Sequence, residues 1–308
     1  MAGQANAPIR ARAPRPAGRV PAPAHRATAR AADRPHPASM NTPDLLHFTS
    51  ADGTRLGAQR HGTDGPPLLL VHGTNAQRSH WNPVIPALTR DYRVYALDRR
   101  GRGASADGPG PYAIEREFED IAAVVQALGR DAAVLAHSFG AICALGGCGL
   151  AGHAGPLVLY EPPIGYMADL ALIERIQAAS DAGDLERALG IFLTDVLGLP
   201  PVALEVARHW PDWEGRLRVV PTIARELAAV HALGPAPTGL LRDRQAPLDL
   251  IVGADSTPPF HAVAQFLAAH LPAVTTHVLA GQKHQAVEMA PRQFLALAQP
   301  LLKGRLAP

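Results

Sequence analysis

The sequence predicts an α/β fold with a mostly parallel central sheet, helices on both faces and a helical lid insertion. Three observations carry this expectation. Apolar runs without alternation recur at Pro67–Gly73, Tyr92–Asp98, Ala132–His137 and Pro156–Glu161, as strands buried on both faces require. Helical stretches separate these runs, and strand–helix–strand alternation favours parallel neighbours. The strands then stop between about Tyr166 and Arg244 and resume at Leu248–Val252 and Thr275–Leu279.

Each element has its own signal. Leu46–Arg60 reads as two extended segments around Asp52-Gly53, a hairpin turn pair. A helix is expected over Ser79–Arg90. Tyr112–Leu128 places Ile114, Phe118, Ile121, Val124, Val125 and Leu128 at helical spacing. Ile142–Leu150 reads as a helix of small residues. The strandless block reads as helices Ile173–Ala182, Leu185–Leu197, Ala203–His209 and Ile223–Leu233. Helices Phe260–Leu271 and Arg292–Leu302 complete the pattern. The expected organisation is a core of residues 40–165 and 245–308, with residues 166–244 forming a lid over the strands' carboxyl ends.

Residues 1–39 stand apart. They hold seven arginines and one acid, Asp33, a net charge of +6, which leaves −4 for the rest of the 308-residue chain. Thirteen alanines and seven prolines with no periodic apolar face predict disorder. The stretch lacks the apolar centre of a secretory signal and the serines of a transit peptide. Composition changes at Met40, so an over-extended reading frame that truly begins there explains the tail equally well. The mildly acidic body carries no basic stripe with interleaved aromatics, which argues against a nucleic-acid partner. No apolar run approaches the roughly 18 residues of a membrane span. A cytoplasmic protein is the expectation. Cys143 and Cys148 lie five apart on one helix, diverge, and read as two small buried residues. They have no zinc-type spacing with histidine, so no metal site is expected.

Chemistry concentrates at strand ends. Ala136-His137-Ser138-Phe139-Gly140 matches the nucleophile elbow G-x-S-x-G with alanine in place of the first glycine. Such a turn is tight, so residues two before and two after the serine must be small. It exposes the hydroxyl and aims helix N-terminal N–H groups at a developing oxyanion. His72-Gly73-Thr74-Asn75 follows the first central strand, and the N–H groups of Thr74 and Phe139 are the expected oxyanion hole. Downstream, Asp255 and His284 each follow a strand. Serine needs a base to take its proton, and the base needs a carboxylate to fix its tautomer. The order Ser138, Asp255, His284 meets both needs. Glu161 also ends a strand and is the second candidate for the acid. Asp255 is favoured, because it occupies a Gly-Ala-Asp turn while Glu161 runs into Pro162-Pro163.

With Asp98-Arg99-Arg100-Gly101-Arg102-Gly103-Ala104-Ser105 matching D-x-R-G-x-G-x-S, the chain from about Thr42 to Leu302 resembles the lidded α/β-hydrolase-fold family. The resemblance implies cleavage of a small ester, thioester or related acyl substrate through an acyl-enzyme, with no cofactor. Lyases, acyltransferases and cofactor-free oxygenases share the fold, as would a non-catalytic binder. A full set of serine, acid and histidine argues against the binder. Ser138 argues against the dehalogenase and epoxide-hydrolase branches, which use aspartate there.

The remaining candidates have modest expectations. His72, Asn75, Glu161, Trp210 and Trp213 are candidate pocket residues. His72 reads more readily as a buried loop-shaping residue, and the two tryptophans read equally well as pins for the lid. His137 is expected to be structural, Trp81 to be core, and Asp98 and Arg102 to brace loops. Glu115, Glu117 and Glu119 are expected on a solvated helix face. The oligomeric state leaves no mark in the sequence.

Overall fold

The computed structural model describes residues 44–241, 246–271 and 273–304. The tail expected at 1–39 and the junction expected near 244 lie outside the described residues. The elements run β1 (Asp44–Thr49), β2 (Arg55–His61), β3 (Pro67–Val71), α1 (Ile85–Leu88), β4 (Arg93–Leu97), α2 (Ile114–Leu128), β5 (Ala133–His137), α3 (Phe139–Leu150) and β6 (Leu157–Tyr160). Helices α4 (Leu170–Asp181), α5 (Leu185–Ile191), α6 (Ala203–Ala207), α7 (Trp213–Val219) and α8 (Ile223–Leu233) follow. The chain returns through β7 (Leu248–Gly253), α9 (Pro258–His270), β8 (Val274–Leu279), α10 (Ala286–Met289) and α11 (Pro291–Leu302).

The eight strands form one sheet in the order β1-β2-β4-β3-β5-β6-β7-β8. The β1/β2 and β2/β4 pairs are antiparallel and all others parallel. Leu68 to Val71 and Ala133 to His137 are all buried at the sheet centre, which explains their unbroken apolar character. From β3 the chain steps to β4 on one side and then to β5 on the other. The crevice where order reverses is where open α/β sheets bind ligands, and here it opens between the ends of β3 and β5.

Small residues let helices close on this frame. A side chain at Gly147 in α3 would place its Cβ 2.5 Å from Cβ of Ile121 in α2, so these helices meet only with glycine there. Cys143 and Cys148 are both buried in α3. The helix expected over Ser79–Arg90 is instead a 3-10 turn, Arg78–Trp81, and the short α1. Pro83, which supplies no N–H, stands between them, and Pro86 lies in the first turn of α1. Trp81 is wholly buried in the core, as expected. Helices α7 and α10 carried no apolar period long enough to be read. Among the described residues no helix is long and apolar enough to cross a membrane.

Helices α4 to α8 build their own apolar centre from Ile176, Ala188, Leu189, Phe192, Val220 and Ile223. Trp210 and Trp213 pack against this centre, and Arg216 lies 4.4 Å over the Trp210 ring. Both tryptophans therefore pin the helical block and neither lines the cavity by Ser138, which corrects the pocket reading. Glu117 also departs from expectation. It is fully buried and paired with Arg99, because α2 turns this carboxylate inward against the loop after β4.

Candidate active site

Among the described residues, three other than glycine have positive φ: Asn75 at 51°, Ser138 at 56° and Glu161 at 47°. They follow β3, β5 and β6. Left-handed backbone is costly for such residues and persists only where the surroundings enforce it. At Ser138 the enforcement is visible. Its N–H donates to Tyr160 O at 2.9 Å, and its carbonyl accepts from Ala141 N–H at 2.8 Å. A Cβ at Gly140 would lie 2.1 Å from His72 O, and one at Gly73 would lie 2.8 Å from Ser138 Cβ. Both positions admit only glycine without movement, whereas Ala136 fits two residues before the serine.

His284 lies in the loop after β8. Its Nε2 is 2.9 Å from Ser138 Oγ, and its Nδ1 is 2.7 Å from Glu161 Oε2. Glu161 is buried, and its other oxygen accepts from Gly253 N–H at 2.7 Å. The acid beside the imidazole is thus Glu161, not Asp255. Asp255 is exposed, and its backbone N–H donates to Gln282 O at 3.0 Å. It stands at the cavity rim, while Glu161 occupies the position assigned to it in sequence.

Two anchors decide this outcome. His137 donates through Nε2 to His284 O at 2.9 Å, and Tyr160 Oη donates to Lys283 O. The catalytic-type loop is therefore tied to the ends of β5 and β6, with the imidazole over Glu161 rather than over the end of β7. His137 also stacks on His80 and Tyr160, with ring centroids 4.9 and 5.0 Å away. Burial, reinforced by His284 and His80, pushes its pKa well below the ordinary 6.5. Phe260 stacks on the other side of His284 at 4.6 Å.

His72 is wholly buried and is not among the residues lining the cavity by Ser138. Its Nδ1 donates to Gly73 O at 2.9 Å, and its Nε2 accepts from Arg99 N–H at 3.2 Å. Burial, and then the neighbouring Arg99 and Arg102 cations, push its pKa well down, so it is a neutral brace for the Gly73–Thr74 turn. Asn75 is also buried and stands outside the cavity lining, because its left-handed backbone turns the loop inward. Both therefore leave the pocket set. Asp98 is buried, accepts from Arg78 N–H at 2.8 Å and pairs with its guanidinium, bracing the loop as expected.

Thr74 and Phe139 line the same cavity as Ser138 and His284. Phe139 opens α3, so its N–H has no acceptor within the helix and sits at the positive end of the helix dipole. The cavity has a volume of about 290 Å³. Ile164, Phe192, Val196, Leu227, Val230 and Phe260 give it apolar walls. Phe192 and Val196 belong to a single π-helical turn continuing α5, a local widening that aims both side chains at the cavity. Asp255, Ser256, Thr257 and Lys283 supply polar groups. Among the described residues no group of three His, Cys, Asp or Glu is placed to hold a metal ion.

The fold agrees with the comparison to known proteins. The chain belongs to the alpha/beta hydrolase family, whose model matches residues 68–297. A solved alpha/beta hydrolase from Sphaerobacter thermophilus is similar at 30% identity with a TM-score of 0.72, covering 83% of this chain and 99% of that one. A hydrolase from Pseudomonas aeruginosa is similar at 26% identity and a TM-score of 0.64, covering 84% and 98%. The N-formylmaleamate deformylase of Pseudomonas putida is 37% identical over 121 residues, 37% of this chain. That match spans 44% of the deformylase, less than half its length.

Proposed function

We propose that the protein is a serine hydrolase that cleaves a small, largely apolar acyl substrate through an acyl-enzyme on Ser138. The observation that carries this reading is the unbroken hydrogen-bond path from Glu161 through His284 to Ser138, opening into an apolar cavity. Ser138 Oγ attacks the carbonyl carbon while His284 Nε2 takes the hydroxyl proton. Glu161 accepts from Nδ1–H, which leaves Nε2 free as base and stabilises the imidazolium that forms. The N–H groups of Thr74 and Phe139 receive the oxyanion. His284 then gives its proton to the leaving group, and water repeats the sequence to release the acid.

The apolar walls favour a neutral acyl group. Among the described residues Lys283 is the cation on the lining, and it is exposed, so no described cation deep in the cavity neutralises a carboxylate. Helices α4 to α8 serve as the lid. N-formylmaleamate deformylase is an amide-cleaving relative by name, which keeps small amides beside esters and thioesters as candidate substrates. A graded series of p-nitrophenyl esters and acyl thioesters, run beside labelling with a fluorophosphonate, tests the reading. Turnover of short acyl chains and one adduct on Ser138 are expected. Absence of both overturns the reading in favour of a ligand-binding protein.

A further inference from the structure

Among the described residues, two sets of ionic contacts made by the helical block α4 to α8 end beside the reacting centre. The first is fully buried and runs through α8. Arg99 and Arg102 both pair with Glu226 Oε1, and Arg99 Nη1 donates to Gly73 O at 3.1 Å, next to Thr74. The second runs through α7 and reaches the side of the base. Arg216 donates from Nε to Asp212 Oδ1 at 3.1 Å and pairs through Nη2 with Glu288 Oε1 of α10. Asp212 Oδ2 in turn accepts from Ser79 Oγ at 3.3 Å.

Glu288 follows His284 by four residues, and it also reaches His284 through space. His80 Nδ1 lies 3.4 Å from the same Oε1 that holds Arg216. His80 is buried and stacks at 4.9 Å on His137, the two rings within 4° of parallel. His137 donates to His284 O at 2.9 Å. A closed circuit results. It runs from Glu288 to His80, to His137, to the backbone of His284, and along the chain through Gln285, Ala286 and Val287 back to Glu288. Ala286 and Val287 are buried in the core, so this segment has little room to yield. Burial alone would raise the Glu288 pKa, but His80 and Arg216 hold it down to about 2, so the carboxylate stays charged and keeps its grip on Arg216 near neutral pH.

We propose that Glu288 is a positioning residue for His284, through which the seating of α7 sets where the imidazole stands against Ser138. Arg216 is its partner on the lid. This rests on the serine-hydrolase reading and adds residues that act on the base without meeting the substrate. Neither Glu288 nor Arg216 is among the residues lining the cavity by Ser138. A pair that acts through His284 changes kcat, because a misplacement of about 1 Å at a reacting group costs up to about 10²-fold. A pair that merely closed the cavity would change KM instead.

The test measures kcat and KM on p-nitrophenyl acetate and butyrate, and the rate of labelling by a fluorophosphonate, a reaction that also needs His284 to take the Ser138 proton. Glu288→Gln keeps the shape and removes the charge that holds Arg216. It should lower kcat and the labelling rate together by about 10-fold, within the range for residues that act on a site through others, with KM held within about two-fold. Arg216→Gln should do the same, and it carries both outcomes alone should Glu288→Gln fail to fold. The double variant should lose no more than either single one, since the two act as a unit. Asp107→Asn is the control. It breaks the Arg225–Asp107 pair between α8 and the loop after β4, and among the described residues neither partner bonds to the His284 loop. Its kcat should stay within about two-fold of wild type. Unchanged kcat and labelling in the folded variants overturn the proposal. A rise in KM alone overturns it too, as does an equal loss in Asp107→Asn, which would make any loosening of the lid equivalent. Neither turnover nor labelling by wild type defeats the hydrolase reading itself, and the proposal with it.

Discussion

Two neighbouring parallel strands, β6 and β7, each end in a carboxylate, and the two carboxylates lead opposite lives. Glu161 is buried, left-handed in its backbone, and satisfied on both oxygens by Gly253 N–H and His284 Nδ1. Asp255, two residues past the end of β7, is exposed at the cavity rim. A carboxylate becomes part of a proton-transfer path only when a base is held against it. Strand position alone does not do this. The Glu161 side of the site is buried, and the Asp255 side is open to solvent.

The largest effect expected is at the serine on which the path from Glu161 through His284 ends. Ser138→Ala should lower turnover by about 10⁶-fold, as in serine-protease triads, with the melting transition unchanged. Substantial residual hydrolysis in a folded variant would remove the nucleophile and make the comparison of acids irrelevant.

Next comes the contrast itself. Glu161→Gln keeps the shape and removes the charge, and should cost about 10⁴ in turnover, the loss seen when a triad acid becomes an amide. The measurement is kcat for the folded variant on a good p-nitrophenyl ester. A loss of only a few-fold would break the contrast at its stronger end.

The buried side also predicts a pH dependence of stability. Burial lowers the pKa values of His72 and His137 well below 6.5, so both stay neutral when folded, while the unfolded chain takes protons near 6.5. The unfolded state then binds more protons, and the stability present above pH 6.5 is lost as pH falls below it. The slope for the pair is about 2.7 kcal/mol per pH unit. Urea midpoints at pH 7.5, 6.0 and 5.0 read it directly, and a flat profile would show that these histidines are not held neutral.

The smallest effect is expected on the open side. Asp255→Asn should change kcat by no more than about three-fold, because an exposed carboxylate that bonds no catalytic group is easily replaced by solvent and amide. A loss larger than that of Glu161→Gln would reverse the assignment.

Much of this was legible in sequence because it is local. The buried strands announce themselves by unbroken apolar runs, and the elbow by Ala136 and Gly140 around a serine. The need for Gly140 is a single close contact with His72 O, which any chain entering that turn must respect. Trp81 and the loop-bracing Asp98 and Arg102 were also readable. Glu117 was not, because helical spacing places a carboxylate on a face without saying what packs there. Arg99, Arg102 and Glu226 are separated by over a hundred residues from one another at the extremes, and no periodicity links them.

By itself, then, the sequence determined the fold class and its mostly parallel sheet, and it offered Ser138 and His284 as candidates, since strand–helix alternation and turn sterics act over a few residues. The tertiary structure alone decided which carboxylate stands beside His284. His137 and Tyr160, at the ends of β5 and β6, hold the backbone of the loop carrying His284. That anchoring sets the imidazole 2.7 Å from Glu161, and hydrogen bonds between residues more than a hundred positions apart follow from packing rather than from order along the chain.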